Sequence, residues 1–270
     1  MNVSEFLQNE NIFEYAAVPY DSLIVTDKRR DELIRREFMP KTAVFFLMPY
    51  YVDSPPSNIS RYAHSRDYHL FVKELKERAK EFLDVPFALF SDTSPVNEVA
   101  GCVEAGLGCV GKNGLLINRR YGSYVFIGEL FFSLPFDHEF FKGCEKREKK
   151  ALCLMCNACE RACPTGALSD KSRCISFINQ KKRLDEGDEA LILESGLLWG
   201  CDTCQEVCPM NTGEQTPIEF FRKDRIEKMT GDVLDALVLS GSFSERAYAW
   251  RGESVLRRNL KIFEKEGLSK

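Results

Sequence analysis

The chain of 270 residues carries 37 basic and 41 acidic residues, a formal charge of −4, with 44% hydrophobic and 29% charged positions. That balance excludes a wholesale basic surface for nucleic acid, though not a local patch, and the apolar fraction can fill one large core or two modest ones. The polar, acidic start Met1-Asn2-Val3-Ser4-Glu5 is unlike a secretory signal. The longest apolar run, 43–52, is about half a membrane span and is broken by Pro49. A soluble, cytoplasmic protein with no membrane partner is expected.

Along the chain, the unbroken apolar run 42–48 reads as a buried strand. Residues 65–84 read as a helix, because Tyr68, Val72, Leu75, Ala79 and Phe82 recur at steps of three and four with Lys and Glu between them. A second strand is expected at 87–90, with Asp92 just past its end. Ser94-Pro95 suits the N-cap and first position of a helix running to about Ala105. Gly111-Lys-Asn-Gly114 is a turn, and strands at 115–117 and 123–132 flank 118–122. Alternating strands and helices imply a three-layer α/β domain, and Asp92 and the Gly111 turn lie where strands end, as active sites do in such sheets. Neither a G-x-G-x-x-G run after a strand nor a Walker motif occurs, so nucleotide binding has no support. Residues 145–150, a solvated charge run, form the expected linker.

Eleven cysteines are far above what a cytosolic chain needs, and eight of them lie between Cys153 and Cys208. Reducing cytosol would not sustain a disulfide framework, so the thiols point to metal. Cys153, Cys156, Cys159 and Cys163, followed by Pro164, reproduce the bacterial ferredoxin spacing C-x2-C-x2-C-x3-C-P. A structural zinc site would want two pairs separated by a longer loop. In the ferredoxin arrangement the fourth cysteine serves the other cluster. That exchange gives Cys153, Cys156, Cys159 and Cys208 to one [4Fe–4S] cluster and Cys163, Cys174, Cys201 and Cys204 to a second. Cys174 precedes Cys201 by 27 residues, so an apolar insertion splits the second motif and is expected to pack against another domain. Cys102 and Cys109 read as small buried hydrophobes, and Cys144 as a stray exposed thiol. His64 and His138 read as loop residues. Lys28-Arg29-Arg30 and Arg257-Arg258 read as solvated charge that could touch phosphate.

Arg66-Asp-Tyr-His69, Asp92-Thr-Ser-Pro95, Ala105-Gly-Leu-Gly-Cys-Val-Gly-Lys-Asn113, Tyr121-Gly-Ser-Tyr-Val-Phe-Ile-Gly-Glu129, Ala162-Cys-Pro-Thr-Gly-Ala-Leu168, Arg173-Cys-Ile175 and Gly200-Cys-Asp-Thr-Cys-Gln-Glu-Val-Cys-Pro209 follow in order. Together they resemble the epoxyqueuosine reductase family over residues 40–210. The resemblance implies a nitroreductase-like α/β domain that binds cobalamin (1–145), a ferredoxin-like domain with two [4Fe–4S] clusters (146–215) and a short helical tail (216–270). The implied activity is a cobalamin- and iron–sulfur-dependent reduction of epoxyqueuosine to queuosine in tRNA, or a related reaction. Asp92 matches the family's proton donor, and Tyr68, His69, Lys112, Asn113 and Ser123 would line the corrin pocket. Where members carry Glu-Arg or Glu-Lys after the aspartate, this chain has Asn97-Glu98-Val99. Its tail, with Trp250-Arg-Gly252 and Arg257-Arg-Asn259, matches only the entry to the helical repeats of longer members, so it reads as a short form and tRNA stays open as a partner. An electron donor such as flavodoxin or ferredoxin is implied. The rival reading is an iron–sulfur electron-transfer protein that reduces a partner's corrinoid or metal centre.

Overall fold

The structure, a computed structural model, describes residues 2–26 and 38–265. The basic triplet Lys28-Arg29-Arg30 lies outside the described residues. Among those described, no helix is long and apolar enough to cross a membrane.

Four antiparallel strands form the central sheet: β1 (Glu14–Pro19), β2 (Thr42–Pro49), β3 (Phe87–Phe90) and, after the short pair β4 (Cys109–Val110) and β5 (Leu116–Ile117), β6 (Val125–Phe132). Their order across the sheet is β1-β2-β6-β3. Every residue of β2 is buried, which accounts for its unbroken apolar sequence: it is an interior strand covered on both faces. Alternate side chains serve the two faces. Val44, Phe46 and Met48 meet α1 (Val3–Asn9) and α2 (Tyr68–Phe82), whereas Ala43, Phe45 and Leu47 meet α3 (Glu98–Glu104) and the segment after it. The expected three layers are present, built on an antiparallel sheet.

The helices that flank the sheet start at side-chain caps. Asn2 and Glu5 make a reciprocal capping box at α1, and the Asp67 carboxylate accepts the His69 amide at the start of α2. Ser94-Pro95 does not start α3. Asn97 does, its side chain accepting the Ala100 amide at 2.9 Å, while the Ser94 hydroxyl accepts the Val96 amide in the preceding turn. Inside α3, a Cβ on Gly101 would stand 2.1 Å from the Phe45 ring, so only glycine lets helix and sheet approach this closely.

The charged segment 145–150 has no regular structure but is tied down rather than free. Arg147 pairs with Glu14 at 2.6 Å, its amide donates to the Ala105 carbonyl at 3.0 Å, and Lys146 and Lys149 both reach Glu104. Just before it, Cys144 is 1% exposed and its carbonyl accepts the Ala17 amide, which corrects the expectation of an exposed thiol. Burial pushes that thiol up to about 12. Cys102 is fully buried, as expected. Cys109 is only half-buried, and its sulfur accepts the Leu152 amide at 3.2 Å.

Within and beyond the first cysteine run, short helices α4 (Ala158–Ala162), α5 (Ile175–Ile178), α6 (Asp188–Ser195) and α7 (Thr203–Glu206) carry the cluster segment, and α8 (Gly231–Ser240) and α9 (Glu253–Lys265) follow. The insertion between Cys174 and Cys201 packs as expected. Leu198 and Trp199 share a core with Ile59 and Ala63 of the first domain and with Leu234, Tyr248 and Leu256 of the C-terminal helices. Arg257 remains solvated, in a surface pair with Asp235, whereas Arg258 donates to the Lys181 and Asn179 carbonyls and so serves the fold.

Candidate active site and cluster cavities

Cys153 and Cys156 sit on a loop in which Met155 and Asn157 both take left-handed backbone angles, with φ of 51° and 62°, and Cys159 follows in the first turn of α4. Two such residues within one short run coil the loop tightly and bring the three cysteines to one pocket. Cys208 joins them: all four line one pocket open to solvent. Cys163, Cys174, Cys201 and Cys204 line a second, larger one. The sets expected from the ferredoxin exchange thus stand around separate cavities, and Lys112 and Asn113 border both. Among the described residues no group of three or more His, Cys, Asp or Glu side chains converges as the ligands of a single metal ion would.

The electrostatics of the thiols also divide along these lines. Burial raises Cys159, with Cys153 and Cys208 adding to the effect. Burial pushes Cys204 up to about 12, helped by Cys201 and Cys174 and opposed by a hydrogen bond with Asn113. At Cys163 burial also raises the thiol, but the amides of Thr165, Ala167 and Gly166 turn the balance and lower it. Half-buried thiols that repel one another as thiolates suit a positively charged iron core, and backbone amides aimed at sulfur suit the cluster's own sulfides.

At the far end of β3, Asp92 takes a left-handed conformation with φ of 58°, a turn that aspartate tolerates better than most residues. The Tyr68 hydroxyl donates to its carboxylate. Tyr68 stacks on Phe126 at 4.1 Å and lies against the His69 ring at 4.2 Å. Burial and the Asp92 charge push the Tyr68 phenol well above its usual range, so it remains a donor. The His69 Nδ1 lies 2.8 Å from Asp67, and that hydrogen bond raises the imidazole pKa. Tyr68, His69 and Asp92 therefore meet. Lys112 and Asn113 instead stand at the cysteine cavities, where Lys112 reaches Asn157 and Glu160 of the first cluster loop. Ser123 belongs to neither group: it is 5% exposed, with its hydroxyl donating to Gln205 at 3.0 Å.

That bond is part of a buried network joining the two regions. Asp202, beside Cys201, accepts the Ser60 hydroxyl and the Arg61 amide, both at 2.6 Å, and Gln205 links Asp202 to Ser123. Asn211 accepts the Ser123 amide at 2.7 Å. A Cβ on Gly122, which has φ of 60°, would meet the Asn211 side chain at 1.9 Å, so this glycine admits the contact. His64 lies nearby, in a loop as expected, just after the short turn Arg61–Ala63. It is fully buried, with Nε2 near Ser57 and the Ile59 carbonyl and Nδ1 accepting from Arg225. His138 does sit in a loop, where it caps a short turn.

Reasoning from motifs gave no role to two carboxyls with buried, unpartnered oxygens, Glu98 and Glu129. A signal for Glu129 was available. Ile127, Glu129 and Phe131 share one face of β6, so the alternation that buries Phe131 also buries Glu129.

Residues 152–211 match the family described as a 4Fe-4S double cluster binding domain. The chain is 34% identical over 242 residues to the epoxyqueuosine reductase of Leadbetterella byssophila, covering 84% of this chain and 78% of that protein. It is 37% identical over 225 residues to that of Cyclobacterium marinum, covering 77% and 69%. Among solved structures, an epoxyqueuosine reductase with an epoxyqueuosine-modified tRNA-Tyr stem loop superposes with a TM-score of 0.70 at 25% identity, covering 96% of this chain and 78% of that one.

Proposed function

The chain belongs to the epoxyqueuosine reductase family, and from that premise we propose that it reduces epoxyqueuosine to queuosine in tRNA with two [4Fe–4S] clusters and a bound cobalamin. The observation that carries this reading is the Tyr68–Asp92 pair, a hydrogen-bonded carboxyl at the end of β3 in a chain that also gathers eight cysteines around two cavities. A protein that only relayed electrons would have no use for an oriented carboxyl at the end of β3. When bound, the clusters supply electrons singly and the cobalamin supplies low-valent cobalt chemistry.

The residues fit such a cofactor in two places. Lys112 and Asn113 border the cavity of the second cysteine set, where Leu115, Ile175, Phe177 and Trp250 add an apolar wall that a macrocycle beside the cluster could lie against. Tyr68 and His69 offer ring faces and a phenol beside Asp92. Asp92 donates a proton to the oxygen released when the epoxide C–O bond breaks, since the alkoxide would otherwise be a poor leaving group. Tyr68 holds that carboxyl in place through its hydroxyl. His69, oriented by Asp67, favours negative charge beside it. The electron donor is a small redox protein such as flavodoxin or ferredoxin.

The test is anaerobic incubation of the protein with epoxyqueuosine-containing tRNA, cobalamin and a chemical reductant, followed by nucleoside analysis. Queuosine should form. Unchanged epoxyqueuosine from a protein that holds eight irons and cobalamin would overturn the reading. Asp92→Asn should keep cobalamin, seen in its absorption spectrum, and lose about 10²–10⁴-fold in turnover.

A further inference from the structure

The two cysteine sets differ in what approaches their sulfur atoms. Two positions beyond its cysteines, the first set has Met155, Ala158, Arg161 and Met210. At the same offset the second has Thr165, Ser176, Thr203 and Glu206. Hydroxyl side chains at this position therefore belong to the second set alone.

Both threonines reach the sulfur of their own cysteine. Thr203 Oγ1 lies 3.3 Å from Cys201 Sγ, and Thr165 Oγ1 lies 3.7 Å from Cys163 Sγ. The local backbone produces these contacts. Thr203 opens α7 directly after Asp202, while Thr165, 5% exposed, lies in the turn that brings the Ala167 amide to 3.3 Å from Cys163 Sγ. In the first set the matching neighbour of Cys153 is Met155, whose thioether stands 3.7 Å from Cys153 Sγ and has no proton to give. Arg161 donates instead to the Cys156 carbonyl at 3.0 Å. Backbone amides approach sulfur in both sets, at Cys159 as at Cys163, so the hydroxyls are what separates them.

An iron-bound cysteine is a thiolate, so at Cys163 and Cys201 the hydroxyl must donate and the sulfur accept. A donor aimed at a cluster sulfur favours the state with more negative charge, and for a cluster that is the reduced one.

We propose that Thr203, together with Thr165, sets the reduction potential of the second cluster by raising it, so that an electron rests beside the apolar wall of Leu115, Phe177 and Trp250. Both act through cysteine sulfur and not on the substrate, which makes them positioning residues. Reduction adds one electron, taken from the external donor protein. Each hydroxyl keeps its proton, and its hydrogen bond strengthens as the sulfur gains charge. The inference rests on the reading of Cys163, Cys174, Cys201 and Cys204 as the ligands of one [4Fe–4S] cluster.

The test is an EPR-monitored redox titration of the full chain with both clusters, without substrate. The signal that survives in Cys208→Ala identifies the second cluster. Thr203→Val keeps the shape of the side chain and removes the hydroxyl. It should lower the reduced-to-oxidised ratio of that cluster about tenfold at a given potential, a downward shift of about 59 mV, and leave the first cluster's signal in place. Thr203→Ser, which keeps the donor, should stay within about twofold of the wild type. Thr165→Val should shift the same signal in the same direction by less, because its contact is longer. An unshifted second signal in Thr203→Val, or an equal shift of both signals, would overturn the proposal. Should Thr203→Val lose iron, Thr165→Val decides in its place, and an unshifted second signal there overturns the proposal. A wild type that binds fewer than about eight irons would instead defeat the two-cluster reading.

Discussion

Cys204 and Cys208 are four positions apart in sequence, yet they line different cavities. The turn through α7 carries the chain from one thiol set to the other, so the two residues should fail differently. Cys208→Ala should lose or degrade the first cluster and leave the second, with iron falling from about eight to about four per chain. Retention of all eight irons would refute the assignment. His64 makes a second prediction at this scale. Burial lowers its imidazole to about 4, with the Arg225 and Arg61 charges acting the same way and the Ile59 carbonyl opposing. Because Nδ1 accepts from Arg225, the native ring is neutral with its proton on Nε2. The unfolded chain takes up a proton near pH 6.5 that the native state refuses, so stability falls as pH drops from about 6.5 toward 4, by up to about 3 kcal/mol. Urea midpoints should track that slope in the wild type, and His64→Gln should flatten it.

At the scale of elements, strands and helices with a strong period could be read directly, because neighbours along the chain carry the pattern. The β2 run and the Tyr68–Phe82 face of α2 are of this kind. The start of α3 was not, since Ser94-Pro95 and Asn97 are both acceptable caps and only the backbone path chooses between them. Asn97→Ala should cost about 1 kcal/mol in thermal or urea unfolding, and the loss of α3 packing against Phe45 makes that measurable. No change would mean that the Asn97 side chain does not hold the helix end. The first helix and β1 were also legible in principle: Asn2 and Glu5 have capping-box spacing, and Tyr15 to Val18 form a short apolar run. Their brevity hides them, because about two turns of helix and a strand of six residues contain too little period to stand out.

For the whole molecule, Trp199 is the joint. Its indole donates to the Tyr62 hydroxyl at 2.7 Å, its carbonyl accepts the Ser60 amide at 2.7 Å, and Tyr248 lies edge-on at 6.1 Å. One side chain therefore binds the α/β domain, the cluster segment and the C-terminal helices into a shared core. Trp199→Ala should lower stability by about 3–5 kcal/mol and should loosen the second cysteine set, since Gly200 and Cys201 follow directly. Unfolding that stays cooperative and unshifted would show that the three parts do not depend on this contact.

The cysteine spacing, the amphipathic helix and the buried central strand follow from the sequence alone, because each depends on residues a few positions apart. The pairing of Cys208 with Cys153 rather than Cys204 needed a ferredoxin analogy before the cavities were seen. Tertiary structure alone decided the burial of His64 and Cys144, the ties that hold 145–150, and the meeting of Tyr68 with Asp92. Those facts concern groups brought together from distant positions. Their proton affinities are set by what surrounds them in space, and a linear pattern does not carry that information.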